Sequence, residues 1–209
     1  MGKLATVLLV GVVLVVLVLG GCAVSTYNSL VALQQGVDAA WAQVENVYQR
    51  RADLIPNLVA TVQGAAGFEQ STLQAVTEAR ASVGRMQVSG KDLINSPEAF
   101  AQWQAAQNSL GSALQRLLVV VENYPELKAT AAFRDLQAQL EGTENRISVE
   151  RMRFNEAAQA YNTRRQQFPA NLIAGLGGFG EKGYFKAGPG PEHAPKVDFG
   201  GAASPAPAP

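Results

Sequence analysis

Cysteine and histidine are almost absent from this chain of 209 residues, which holds one of each, Cys22 and His193. A disulfide framework is thereby excluded, as is any metal centre built from several thiolates or imidazoles. An excess of either charge is missing too. Lys+Arg and Asp+Glu both total 17, so the net charge is zero and the electrostatic footprint of a general nucleic-acid binder is not there. Proline is scarce in the middle of the chain: Pro56, Pro97, Pro125 and Pro169 stand alone, and the other six crowd into the last 21 residues. The length suffices for one domain and is too short for two well-buried ones once a membrane segment is set aside.

Charge is also absent between Lys3 and Asp38, and within that gap Leu4 to Val24 is a run of 21 residues made almost wholly of Leu, Val, Ala and Gly. Such a run crosses a bilayer as a helix. Two anchorings follow. Residues 1–24 can stay as a signal anchor with Lys3 and the free amine held inside, leaving the body outside. Alternatively, Leu19-Gly20-Gly21-Cys22 resembles a bacterial lipobox, in which case residues 1–21 are a signal peptide and Cys22 is lipidated and becomes the mature N-terminus. Either way the body stands on a membrane, outside the cytoplasm.

What the rest of the chain does contain is helical periodicity. Leu33, Val37, Ala40, Val44 and Val47 step by three and four, predicting helix 1 over about 25–52. Helix 2 is expected over about 54–88, with Asp53 as its N-cap and Pro56 in its first turn; the alternative is one kinked helix that crosses Pro56 and turns near Gly64 to Gly67. Helix 3 has a marked start in Ser96, Pro97 and Glu98, then a stripe of Phe100, Trp103, Gln107, Leu110, Leu114, Leu117, Val121 and Tyr124. Helix 4 runs from near Thr130 to about 168. The fold class is all-α, and four such amphipathic helices most economically form an antiparallel up-and-down four-helix bundle over residues 25–168. If the first turn lies at Arg50 to Pro56, that turn is the distal tip, on the order of 40 Å from the bilayer. Residues 169–186 form a Gly-rich segment near the membrane, and residues 187–209, with six Pro and four Gly, are expected to be disordered.

The pattern of short motifs resembles the LemA family. It includes Tyr27-Asn28-Ser29-Leu30-Val31, Ala40-Trp41, and above all Arg50-Arg51-Ala52-Asp53-Leu54-Ile55-Pro56-Asn57-Leu58-Val59. Glu78-Ala79-Arg80, Tyr124-Pro125-Glu126-Leu127-Lys128-Ala129, Glu144-Asn145-Arg146-Ile147, Phe154-Asn155 and Tyr161-Asn162 also belong to it. The resemblance covers about residues 25–200. It implies a bacterial, membrane-associated, extracytoplasmic helical bundle with no established catalytic activity.

The residues offer little chemistry. His193 lies in the Pro/Gly tail, where a base would lack orientation. Gly175 to Gly180 lacks the Lys-Ser/Thr that completes a phosphate loop. Glu144, Glu150 and Glu156 have no His at i+3 to suggest a di-iron site. Neither a cofactor nor a metal is expected. Two surfaces are candidates instead. Arg50, Arg51 and Asp53, at a distal turn, could grip carboxylates or phosphates of a partner; the plainer alternative has Asp53 capping helix 2 and the arginines facing the negative end of helix 1. At the base, Arg164, Arg165, Phe168, Leu172, Ile173, Phe179, Lys182, Tyr184, Phe185 and Lys186 are candidates for membrane contact, unless this segment folds back over the open bundle end. Asn28, Asn155 and Asn162 are expected to hydrogen-bond near the base. The reading is a non-enzymatic scaffold or adaptor of the bacterial envelope, with membrane lipids and envelope proteins as partners. The alternative is a lipid-interacting module that organises membrane through its base and tail.

Overall fold

The computed structural model describes residues 2–65, 67–86 and 90–186, all helix, turn or irregular chain with no strand among them. The helices are α1 (Gly2–Gln63), α2 (Gln70–Arg85), α3 (Gly90–Asn95), α4 (Pro97–Val121), α5 (Pro125–Lys128), α6 (Ala131–Gln166) and α7 (Ala170–Leu176). A strap of residues 177–186 follows α7, a turn at 177–178 and then chain without helix or strand. The tail 187–209, with His193, and the expected end of helix 2 at Val88 fall outside the described residues.

Helix α1 is one element of 62 residues, carrying the apolar N-terminal run straight into the body. The expected boundary at Pro56 is not there: Pro56 sits inside α1, and the chain turns at Gly64 to Gly67, where Gly67 adopts φ +75°. That conformation suits glycine because no Cβ crowds the neighbouring carbonyl. Asp53 consequently caps nothing; its Oδ1 accepts from Gln49 Nε2 at 2.7 Å, one turn back on the same helix. An interior proline removes one helical donor and crowds the carbonyl four residues earlier. Here that carbonyl belongs to Ala52, and Arg80 Nε of α2 donates to it at 3.2 Å. The tip therefore lies further out than Pro56 would place it. From Ser25 to Gln63 a straight helix rises about 57 Å.

The other long helices begin as their sequences direct. Ser96 Oγ accepts from Ala99 N ahead of α4, with Pro97 in the first turn where its missing donor is harmless. Thr130 Oγ1 accepts from Phe133 N ahead of α6. Helix α1 packs on α6, and α2 on α4. Cross-contacts such as Tyr48 with Arg151 and Arg51 with Glu144 show α6 running opposite to α1.

Two apolar clusters fill the interior. The membrane-proximal one is aromatic, joining Trp41 and Tyr48 of α1, Phe100 and Trp103 of α4, Phe154 and Tyr161 of α6, and Phe179 and Phe185 of the strap. The distal one is aliphatic, joining Ile55, Leu58 and Val62 of α1, Val76 of α2, Leu110 to Val121 of α4, and Phe133 and Leu140 of α6. Short α3 nestles against the aromatic cluster through Leu93 and Ile94. Its first residue is glycine at a close approach, since a Cβ on Gly90 would run into the Glu45 carboxylate and the buried Trp41 indole and force the indole to shift.

Candidate functional site

The sequence places a polar residue where α1 and α4 each need an apolar one. Val37, Trp41, Val44, Tyr48, Arg51, Ile55, Leu58 and Val62 alternate steps of four and three along α1, so Arg51 occupies a core position. On α4 the stripe has one polar break at Gln107 and a second buried amide beside it, Gln104. The fold brings Arg51 and Gln107 together between the aromatic and aliphatic clusters. Arg51 is 2% exposed. Its Nη1 donates to Glu144 Oε1 of α6 at 3.0 Å, and its Nη2 donates to the Gln107 main-chain carbonyl at 3.3 Å and to the Gln107 side-chain oxygen. Its guanidinium lies over the Tyr48 ring, 4.9 Å from the centroid. Nε is buried without a partner. Arg151 Nε donates to Tyr48 Oη at 2.6 Å. Burial raises the Tyr48 phenol above its ordinary value, against the pull of Arg151.

These contacts correct the expected docking point. Arg50, Arg51 and Asp53 are not gathered at an exposed turn: they lie along the uninterrupted α1, with Arg51 turned inward and Arg50 and Asp53 exposed on the outer side. The distal end is formed instead by the turns joining α1 to α2 and α4 to α6. There Tyr124 Oη donates to the Gly67 carbonyl at 2.9 Å and the Tyr124 ring lies 5.0 Å from Phe68. A groove of 720 Å³ opens at this end, lined by Thr61, Gly64, Ala65, Tyr124, Leu127 and Thr130 among others.

At the opposite end the strap folds back onto the body, so three of the membrane-contact candidates are interior: Phe179 and Phe185 are buried, and Lys182 is 2% exposed. A segment outside helix and sheet needs partners for its main-chain groups. Three carboxamides supply them. Asn162 Nδ2 donates to the Lys182 carbonyl at 2.9 Å while Lys182 N donates to Asn162 Oδ1 at 3.0 Å. Asn155 Nδ2 donates to the Phe185 carbonyl at 2.9 Å while Phe185 N donates to Asn155 Oδ1 at 2.8 Å. Gln104 Nε2 donates to the Lys186 carbonyl at 2.7 Å. Asn155 and Asn162 thus bond main chain near the base as expected, whereas Asn28 is exposed. The Lys182 ammonium meets Asn95 Oδ1 and the face of Tyr161. Burial lowers its pKa from 10.5, with Asp38 opposing the shift.

The remaining base candidates face outward or sit at the rim. Phe168 and Leu172 are exposed, Ile173, Arg164 and Arg165 are half-buried, and Tyr184 and Lys186 are exposed. Arg165 Nε donates to the Phe179 carbonyl at 2.6 Å rather than pointing freely outward. Cys22 is a free thiol exposed on α1. Leu176, not singled out as a contact residue, is the most exposed large apolar side chain of the base at 91%. Its spacing of four from Leu172 and eight from Phe168 was the available signal.

Among the described residues no three His, Cys, Asp or Glu side chains converge as metal ligands. Glu144 is paired with Arg51, and Glu150 with Arg153 Nη1 at 2.8 Å. Gly175 lies inside α7, and Gly177, Gly178 and Gly180 lie in the strap that follows it, with no strand in front of them.

Val7 to Leu19 and Val24 are exposed along the first part of α1, which is long and apolar enough to cross a bilayer. The molecule is a membrane-associated helical protein whose body grows from its apolar helix. A family model described as the LemA family matches residues 40–199, and the chain belongs to that family. Among curated proteins it is similar to the magnetosome proteins MamQ 2 and MamQ 1 of Paramagnetospirillum magneticum and magnetosome protein MamQ of Magnetospirillum gryphiswaldense. Each is 26% identical over 178 residues, covering 78% of this chain. The chain spans 65% of the length of these relatives.

Proposed function

We propose that this protein is a non-enzymatic scaffold or adaptor of the bacterial envelope, a four-helix body held on the extracytoplasmic face of a membrane and presenting its distal end to protein partners. One observation carries the reading: α1 passes without a break from the apolar run into both core clusters, Leu30 to Val62. A helix continuous across that junction transmits the orientation of the membrane segment to the body, because bending it would break main-chain hydrogen bonds. The tip is thereby held at a set distance of about 57 Å from Ser25. Family membership and the likeness to the MamQ proteins support membrane association without catalysis. Lys3, on the amino side of the apolar run, favours an inside amino end, and with it an outside body.

Photo-crosslinking in intact cells tests this. A crosslinking residue at Asn123 reports on the distal end and one at Met152 on the flank. Discrete protein adducts from Asn123 are expected; adducts to lipid alone, or turnover of a small molecule by the purified chain, overturn the reading. A phosphatase fused after Pro209 reports sidedness, and the mass of the mature N-terminus separates an intact Met1 from a diacylglyceryl Cys22.

A further inference from the structure

Exposed large apolar side chains on the body are few, Val119 alone on α4 and Val149 with Met152 one turn apart on α6, and such scattered ones need no explanation. One group is different. Phe168, Leu172 and Leu176 follow one another at intervals of four through the lead-in to α7 and along it, and are 78%, 59% and 91% exposed. The opposite side of α7 is fixed to the body, with Ala170 and Ala174 buried. The helix is therefore amphipathic in place, with small residues inward and large apolar ones outward.

Its height relative to the membrane follows from α1. Helix α7 packs against α1 and α6. The strap residue just beyond it, Phe179, meets Tyr27 of α1 edge to face at 5.4 Å between centroids. Thr26 and Leu30 of α1 are buried in the same region. The apolar run ends at Val24, three residues before Tyr27, which is about 4.5 Å of helix rise. The polar interfacial layer of a bilayer is about 5–8 Å thick on each side. The two thicknesses match, so the level of Tyr27 and Phe179 falls inside that layer. A lipidated Cys22 would set the membrane surface within about two turns of the same level. Tyr27, itself 47% exposed, is the side-chain type that collects at this depth.

We propose that α7 is a membrane foot: Phe168, Leu172 and Leu176 insert into the acyl boundary of the leaflet that α1 leaves, giving the body a second attachment point beside its anchor. The proposal rests on membrane anchoring through α1 and is independent of any protein partner. Of the base candidates, it assigns lipid contact to Phe168 and Leu172, adds Leu176, and withdraws Phe179, Lys182 and Phe185, which the body buries. Two attachments resist tilting where a single helix does not, and so steady the distal tip.

The test uses the full chain in nanodiscs of phosphatidylcholine and phosphatidylglycerol, with and without bromine on the acyl chains. Leu172→Trp and Leu176→Trp each place a fluorophore on an exposed position, and the emission of the unsubstituted chain, from Trp41 and Trp103, is subtracted. Val13→Trp reports the anchor, and Met152→Trp reports the flank of the body. The foot predicts blue-shifted emission and loss of fluorescence on bromination at positions 172, 176 and 13, and none at 152. Quenching at 13 with positions 172 and 176 behaving like 152 overturns the foot while leaving the anchor standing. No quenching at positions 13, 172 and 176 alike overturns both.

Discussion

Arg80 Nε donates at 3.2 Å to the carbonyl of Ala52, the acceptor that Pro56 leaves without its helical donor. The Arg50 to Val59 block and the Glu78-Ala79-Arg80 block, separate in the chain, are thus two halves of one device. The first leaves a carbonyl free and the second supplies its partner. Arg80→Ala should therefore destabilise by about 0.5–1 kcal/mol, the lower range because the bond is exposed to water. In a Pro56→Ala background, where residue 56 again donates to Ala52, the same change should do less. A double-mutant cycle in urea reads the coupling, and strict additivity would remove the proposed link.

Arg51 yields a second expectation. Arg51→Ala removes a buried side chain and strands the Gln107 amide, and should lose about 3 kcal/mol or more. Glu144→Ala should lose less, about 1–2 kcal/mol, because the Glu144 side chain is 44% exposed and Gln107 still holds the guanidinium. Arg50→Ala, on an exposed position, should stay within about 0.5 kcal/mol. Chemical denaturation of the three variants gives the order. Replacing Arg50 and Arg51 together as a docking test would confound partner loss with unfolding, since one of the pair is core.

The contrast between the two arginines shows what could be read from residue order. Ser96-Pro97 and Thr130 carry their capping chemistry locally, so the starts of α4 and α6 were legible, as was the stripe from Phe100 to Val121. Pro56 left two readings open, a boundary or a helix crossing it to turn at Gly64 to Gly67, and the second holds because what makes the proline tolerable is a side chain 24 positions later. Asp53 has the composition of a cap and the position of a mid-helix residue, and a rule based on composition alone cannot separate the two. Once α1 is continuous, Arg51 falls on the seam by simple counting. The direction of the strap was open for a related reason. Residues 177–186 have no period of their own and are placed by amides on α4 and α6.

Those amides lead to a third expectation. The Lys182 and Phe185 main-chain N–H groups each donate to an asparagine side chain and sit against buried rings. Their hydrogen exchange should be slow for a segment outside helix and sheet. Asn162→Ala should release Lys182, and Asn155→Ala should release Phe185, each at about 1–3 kcal/mol for the main-chain pair left unsatisfied. Exchange at both sites as fast as in an open chain, before any substitution, would mean the strap is not held.

Lys182 makes the attachment of the strap depend on pH. Burial lowers its pKa below 10.5, so between that lowered value and 10.5 the unfolded chain carries a proton that the folded chain has released. Stability then rises with pH across that window. Below it both states are protonated and the full penalty of burying the ammonium is present; above it both are neutral and the penalty is gone. Asp38 narrows the window by favouring the charged form. Tyr48 and Tyr161, whose phenols burial raises above 10.0, work in the opposite sense, because above 10.0 the unfolded chain ionises first and stability falls. Melting temperature should therefore climb as pH rises through the lowered pKa of Lys182 and fall above 10.0, where the two tyrosines outweigh the lysine. Lys182→Met should flatten the climb and leave the drop, since the two tyrosines remain. A climb of equal slope in the variant would place its origin in some group other than Lys182.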